Sequence, residues 1–374
     1  MHRARFILFL LVGLSVFSSL PLIKLLPRIL SGDSLAAALS AEPIRSLWSV
    51  DGLEGRLAYH LIDCCEISVK PNVVVAGKQG FLFLGNDSDR VIDKTIGIFR
   101  QPRQTIDAWT QSVARLRDFA KSNGAEFAMI IAPNKHSIYP EFLPTRYVPA
   151  KTNVTDDFLT SAAETGLSVL DLRPILRTHK ADGPLYYRTD THWTHIGAAI
   201  AHENTMAHLE RQTGWVLERP TYTQHAIKVG SGDLARLLKI TSSFDAEHEA
   251  DSNYDFGASS ICQGQINTAT DEQTSCEPTH FGDIWVNSSA LIVTRVPDAP
   301  NPQSVLALCD SFCTATSSLL NASFQTVYRI PWANLSETEL RDEIKRLSPD
   351  IVMLQVVERL LLSPQIGLAY RFKS

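Results

Sequence analysis

Ser304-Val305-Leu306-Ala307-Leu308-Cys309-Asp310-Ser311-Phe312-Cys313 opens on five small or apolar residues, a run of the length of a strand buried on both faces. Phe312–Leu320 reads as a helix, so Asp310 and Ser311 fall at a strand-to-helix turn. Outward from this unit the pattern repeats. On the C-terminal side, Phe324–Ile330 is a strand and Ser336–Leu347 a helix opened by the capping box Ser336-x-x-Glu339. Ile351–Val357 is a final buried strand, followed by Glu358-Arg359. On the N-terminal side, Ala290–Thr294 is a strand. Further upstream, Gln104–Ser122 sets Ile106, Trp109, Val113, Leu116 and Phe119 on one helix face and stops at Asn123-Gly124. Glu126–Ala132 is a buried strand, Asp156–Thr165 a helix, Ser168–Leu172 a strand and Thr194–Thr213 a long helix. Val73–Val75 and Phe81–Leu84 form a hairpin-like pair. Repeated strand–helix–strand units predict an α/β domain with a mostly parallel central sheet. The stretch near 225–290, rich in Ser, Thr, Asp, Gln and Gly, breaks the pattern and reads as an irregular insertion over one edge.

The chain has 374 residues, 44% hydrophobic and 20% charged, enough for a sizeable core. A net charge of −5 without a basic run argues against nucleic acid as a partner. The six cysteines show no CxxC spacing. Cys262 and Cys276 bracket a polar loop, and either close it as a disulfide in an oxidising compartment or stay apart. Cys64 and Cys65 are adjacent and read as buried thiols. Phe6–Ile23 carries no charge, follows Arg3 and Arg5, and lacks a small-residue cleavage pattern close by. Residues 1–26 are therefore expected to be an uncleaved signal anchor with one transmembrane helix, residues 27–70 a linker and helical lead-in, and residues 71–374 the folded domain. The positive-inside rule puts the body of the protein outside the cytoplasm, which in a bacterium is the periplasm.

The chemistry is read from Leu185–Gly197, which contains Arg188, Asp190, His192 and His195. Asp190 and His192 are two apart. On an extended backbone they share a side, so the carboxylate can hold one ring nitrogen and leave the other as a base. Ser311 supplies the missing nucleophile beside the first amides of a helix, which can stabilise an oxyanion. Each part has a plainer reading: Asp-Ser before a helix is commonly an N-cap, and Asp before His a turn former. The conjunction at strand ends of one domain favours a Ser311–His192–Asp190 set. His195 falls inside the following helix and reads as structural. Lys135, just past the carboxyl end of Glu126–Ala132, stands where α/β sheets bind ligands, although most loop lysines are simply solvated.

Six segments together resemble the SGNH-hydrolase-like alginate O-acetyltransferases, the AlgJ/AlgX family. They are Gly80-Phe81-Leu82-Phe83, Ala132-Pro133-Asn134-Lys135 leading to Tyr139-Pro140, Asp190-Thr191-His192-Trp193, Gly232-Asp233-Leu234, Asp310-Ser311-Phe312 and Gln355-x-x-Glu358-Arg359. The resemblance spans about residues 45–360 and implies a three-layer SGNH-hydrolase-like domain. It implies acetyl transfer to hydroxyls of an exported polysaccharide through an acetyl-serine intermediate. It implies no metal or nucleotide cofactor, and as partners the polysaccharide acceptor and a membrane-bound O-acyltransferase that supplies acetyl groups. Localisation would be the inner membrane with the catalytic domain in the periplasm. Lys135, Arg188, Arg359 and Asn134 become candidate substrate contacts, Asn134 also a candidate oxyanion donor. An acetylesterase, with water as acceptor, and a non-catalytic polysaccharide-binding assembly protein remain open alternatives. The family pattern carries Gly before Asp-Ser. Here Cys309 stands in its place, where a side chain can crowd the turn; Cys309 and Cys313 either pair and lock the turn or, as the more usual case, stay free, partly buried thiols.

Overall fold

A computed structural model describes residues 65–241, 249–256, 260–266, 273–278, 291–332 and 335–362, together with residues 29, 32, 34, 58, 59, 61 and 62. The expected anchor at 1–26 and most of the lead-in to residue 70 lie outside the described residues. Among the described residues, no helix is long and apolar enough to cross a membrane.

A short hairpin, β1 (Val74–Ala76) and β2 (Leu82–Leu84), comes first, with Val74 opposite Leu84. Helices α1 (Val91–Thr95) and α2 (Arg103–Ser122) lead to β3 (Glu126–Ala132). Then follow α3 (Lys135–Ile138), α4 (Val154–Glu164), β4 (Val169–Asp171), α5 (Leu172–Thr178) and α6 (His195–Thr213). Strand β5 (Thr223–Val229), helix α7 (Asp233–Leu237) and strands β6 (Glu249–Asp255), β7 (Ser260–Ile266), β8 (Gln273–Pro278) and β9 (Leu291–Arg295) fill the middle. The chain then runs through β10 (Asn301–Cys309), α8 (Cys313–Ser323), β11 (Phe324–Pro331), α9 (Glu337–Leu347) and β12 (Ile351–Val357).

The main sheet has the order β4-β3-β12-β10-β11-β9-β7-β8. Its first five strands are parallel; β9, β7 and β8 extend it antiparallel. Read from β10, the parallel strands run 2-1-3-4-5, the doubly wound order. Read from the N-terminus they run 2-1-5-3-4, a circular permutation of that order. The parallel strands are buried on both faces because their residues alternate between two cores. Ala128, Ile130, Val305, Ala307 and Met353 face a layer formed by α5, α6 and α8. Phe127, Met129, Leu306, Leu308 and Leu354 face α2, α4 and α9. Three layers result.

The periodicity in α2 does what its sequence requires: Ile106, Trp109, Val113 and Leu116 are buried, with Phe119 partly so, and Trp109 meets Phe158 of α4 edge-on at 5.1 Å. Ser336 and Glu339 form the expected capping box of α9; Asn153 and Asp156 form a second one on α4.

Two expectations are corrected here. Among the described residues near 225–290 there is regular structure: β5 pairs with β6 as an antiparallel ribbon, and the β7–β8 hairpin joins the main sheet through β9. Its polar composition hid the strands because their pairing comes from backbone groups. Cys262 stands opposite Cys276 in that hairpin's register. Cys65 is exposed and disulfide-bonded, not a buried thiol; with a turn residue of positive φ after it at Glu66, it lies at the surface.

Candidate active site

The carboxyl ends of β3, β12 and β10 converge on one edge of the domain, and the loop 185–194 between α5 and α6 is laid across them. That loop is a tight antiparallel excursion. Tyr186 and Trp193 form an isolated bridge, and Thr194 donates its amide to Leu185 O at 3.0 Å. Tyr186 donates its hydroxyl to Pro133 O at 2.6 Å, and Trp193 donates Nε1 to Phe312 O at 3.0 Å. The second bond fixes the His192 segment directly to the turn that carries Ser311.

His192 Nε2 lies 2.9 Å from Ser311 Oγ. Its Nδ1 lies 2.6 Å from Asp190 Oδ1, which also accepts the His192 amide at 2.9 Å. The residues expected from sequence to form a set are thus brought together across 119 positions of chain. Burial alone would raise the Asp190 carboxyl. The His192 ring and the amides of His192 and Asp233 outweigh it and hold the group well below the usual carboxylate range. A cleft of about 240 Å³ opens over the pair, lined by Tyr187, His192, Trp193, His195, Ser311 and Thr314 among others.

Ser311 follows Asp310, whose half-buried carboxylate caps the turn from inside. Its Oδ1 accepts the Phe312 amide at 3.0 Å, and Oδ2 accepts the Val357 amide at 2.5 Å, tying the Ser311 turn to the end of β12. Burial raises the Asp310 carboxyl against these bonds and against Arg359. The amides of Phe312 and Cys313 are consumed within the turn, the latter on Asp310 O at 3.1 Å. Neither can serve as an oxyanion donor without sharing or leaving that bond. Cys309 does not crowd the turn either. It carries no positive φ, and its sulfur is bonded to that of Cys313 in a disulfide with Cα atoms 5.8 Å apart. The expectation of free thiols fails because the turn brings strand end and helix start within disulfide range.

The four candidate substrate contacts fare differently. Lys135 is buried, and its ammonium donates to the carbonyls of Tyr187 (2.8 Å), Arg188 (3.0 Å) and Asp190 (2.6 Å). All three protons are spent inside the protein, so Lys135 braces the 185–194 loop. Burial lowers its pKa to about 8, partly offset by Glu249, Asp190 and Asp233. Asn134 is also buried: its amide donates to Glu358 Oε2 at 2.9 Å, and its Oδ1 accepts from Arg359 at 3.5 Å. Arg359 packs 5.5 Å from the Phe312 ring centre, and burial lowers its pKa. Arg188 donates its amide to Glu249, and its carbonyl accepts the Leu82 amide at 2.8 Å. Among the described residues lining the cleft, none of these four appears.

Sequence reasoning missed the acidic partners on β6. Glu249 accepts the Thr189 amide at 2.9 Å and its hydroxyl at 2.6 Å, as well as the Arg188 amide. Asp251 takes His195 Nδ1 at 2.6 Å, the His195 amide at 3.0 Å and the Tyr187 hydroxyl. Burial would raise the Asp251 carboxyl, but the His195 and Tyr187 bonds bring it below its ordinary value. The alternation Glu249, Asp251 on one strand face was the available signal. Among the described residues, Asp190, His192 and Asp233 are grouped with possible ligand atoms within 4.8 Å of one another. Those atoms are engaged in hydrogen bonds within the group and with Thr191.

The sequence model of one family, described as SGNH hydrolase-like domain, acetyltransferase AlgX, matches residues 74–259. That span contains Asp190 and His192 and ends before Ser311. The chain is 30% identical over 183 residues to the probable alginate O-acetylase AlgJ of Pseudomonas aeruginosa, covering 47% of this chain and 43% of that protein. Identity to AlgJ of Pseudomonas syringae is 27% over 174 residues, covering 46% and 42%. The chain thus matches less than half the length of these curated relatives. Among solved structures, Bacillus cereus PatB1 is similar in fold with a TM-score of 0.59 at 16% identity, over 80% of this chain and 99% of that one. The O-acetyltransferase domain of Pseudomonas putida AlgJ matches with a TM-score of 0.51 at 20% identity, over 80% and 98%.

Proposed function

We infer from its family, the SGNH hydrolase-like acetyltransferase domains of the AlgX kind to which residues 74–259 belong, that the protein is an O-acetyltransferase. Its acceptor is a hydroxyl of an exported polysaccharide; the AlgJ relatives, named as probable alginate O-acetylases, make alginate the first polymer to try. The reading rests on one observation above the others, the 2.9 Å contact between His192 Nε2 and Ser311 Oγ with Asp190 behind the ring.

The transfer has two halves. His192 Nε2 takes the Ser311 Oγ proton as Oγ forms an ester bond to the acetyl carbonyl carbon; the donor's leaving group departs with that proton. A sugar hydroxyl then enters the cleft and gives its proton to the same nitrogen. The new ester forms on the sugar oxygen, and Ser311 Oγ recovers its proton. Asp190 fixes the Nδ1–H tautomer and stabilises the imidazolium in both halves.

An extracytoplasmic, membrane-tethered setting is part of the same proposal. It is supported by the uncharged run Phe6–Ile23 and by the Cys309–Cys313 disulfide, a bond that persists in oxidising compartments. A membrane-bound acyltransferase would supply the acetyl group.

The test uses p-nitrophenyl acetate as a soluble donor. Intact-mass analysis should find one acetyl group on Ser311, and Ser311→Ala should abolish it. Added alginate oligosaccharide should divert acetyl groups from water to sugar. Acetylation of the Ser311→Ala variant at the wild-type rate would sink the nucleophile assignment. Hydrolysis alone, whatever the sugar, would make the protein an esterase.

A further inference from the structure

We propose that Asp233 is a positioning residue for the Ser311–His192–Asp190 set. The inference rests on the reading of Ser311 as nucleophile and adds a fourth member that clasps the base from behind.

The clasp is built by two backbones in direct contact. Gly232 lies so close to Asp190 that a Cβ at position 232 would come within 2.3 Å of Asp190 Cβ and 2.6 Å of its Cα. Only a residue without a side chain permits this approach. Asp233 N then donates to Asp190 Oδ2 at 2.8 Å, leaving Oδ1 for His192. The Asp233 carboxylate turns back over the intervening residue. Oδ1 accepts the Thr191 amide at 2.8 Å, and Oδ2 accepts the Thr191 hydroxyl at 2.6 Å. Asp190, Thr191 and His192 are thereby held from two directions by one residue.

The same Oδ2 lies 3.9 Å from His192 Nδ1. That is too long for a hydrogen bond and short enough for a charge interaction in a half-buried setting. When Nε2 takes the Ser311 proton, the imidazolium faces two carboxylates, one bonded and one adjacent. Asp233 does not touch the reacting atoms. It acts by keeping Asp190 and His192 aligned while positive charge comes and goes on the ring.

The decisive experiment compares Asp233→Asn with wild type in acylation by p-nitrophenyl acetate. The rate constant for Ser311 acetylation should fall about tenfold to a hundredfold, by analogy with carboxylates that orient metal-bound histidines, with little change in KM. The downfield proton resonance of the His192–Asp190 hydrogen bond should shift or broaden in the variant, a change that bracing of α7 alone would not cause. A wild-type acylation rate with an unmoved resonance overturns the inference and leaves Ser311 as nucleophile untouched. Wild-type acetylation of Ser311→Ala would instead remove the reading beneath it. If Asp233→Asn does not fold, Thr191→Val removes the hydroxyl limb of the clasp together with that hydroxyl's 3.3 Å contact with His192 Nδ1. It should then slow acylation about threefold, and no loss there overturns the proposal equally.

Discussion

His192 makes two contacts that differ in kind: one ring nitrogen is committed to a carboxylate, the other meets a hydroxyl that can be replaced by substrate chemistry. The committed side has a consequence for stability. The Asp190 carboxyl is held below its ordinary range despite its burial. A depressed carboxylate stabilises the folded state fully above its unfolded pKa, about 3.9, and loses that contribution as pH falls through the folded value. Asp190→Asn should therefore unfold at lower denaturant than wild type at pH 7, and the gap should narrow as pH is lowered towards 2. A gap that stays constant from pH 7 to 2 would contradict the assignment. Asp190 and His192 are readable as a pair because their chemistry and two-residue spacing are local facts, and Ser311 because it stands at a strand-to-helix turn. Lys135 is not. A lysine after a strand looks solvated or ligand-facing until the three carbonyls that surround it are placed by a loop some 50 residues away. Asp233 is visible in the sequence only as part of a motif, since its partners at 190 and 191 are 43 and 42 positions distant.

Among the elements, the strand-to-helix joint from β10 to α8 carries the largest departure from expectation. A cysteine replaces the glycine that the family pattern has there, and the structure turns that apparent obstruction into a staple across Asp310-Ser311-Phe312. Phe312 inside the staple is fully buried and packs against His192 at 5.1 Å and Trp193 at 5.0 Å. The staple thus spans both Ser311 and the ring that packs against His192. The chain-entropy treatment assigns about 2 kcal/mol to a loop this short. The double substitution Cys309→Ala/Cys313→Ala should lower the unfolding free energy by about that amount in chemical denaturation. An unchanged value would mean that the turn is fixed by Asp310 alone. Element by element, the strands and helices whose apolar residues recur with a clear period were readable from sequence: α2, β3, α9 and β12 fall where periodicity put them. Strands β5 to β8 escaped because their residues are largely polar. On β6, buried Glu249 and Asp251 are stable inside only because backbone amides and side chains of a distant loop come to meet them.

At the scale of the whole molecule, the sheet order separates two blocks of chain and then rejoins them. β3 and β4 belong to the block that bears Asp190 and His192; β10 and β11 belong to the block that bears Ser311. β12 lies between them, paired in parallel with β3 on one side and β10 on the other. Its far end adds a buried network: Glu358 accepts from Asn134 N and Ser137 Oγ and faces Arg173 at 3.6 Å. A chain ended at Pro349 lacks the strand that joins the blocks. It should lose cooperative unfolding and Ser311 acetylation together, measured by denaturant titration and by mass. Retention of both would mean that the helices alone unite the halves. The α/β class was legible from the alternation of elements. The permuted order was not, because no local pattern says which strand a later one will lie beside.

In chain order His192 comes before Ser311, and the strand that lies between their two blocks comes last of the three. Until β12 is seated, His192 and Ser311 belong to different partial sheets. The placing of His192 beside Ser311 therefore draws on segments that lie on both sides of a strand coming late in the chain. The cost is kinetic. Two exposed parallel edges, on β3 and β10, must wait for the same late strand, and each is open to mispairing in the interval.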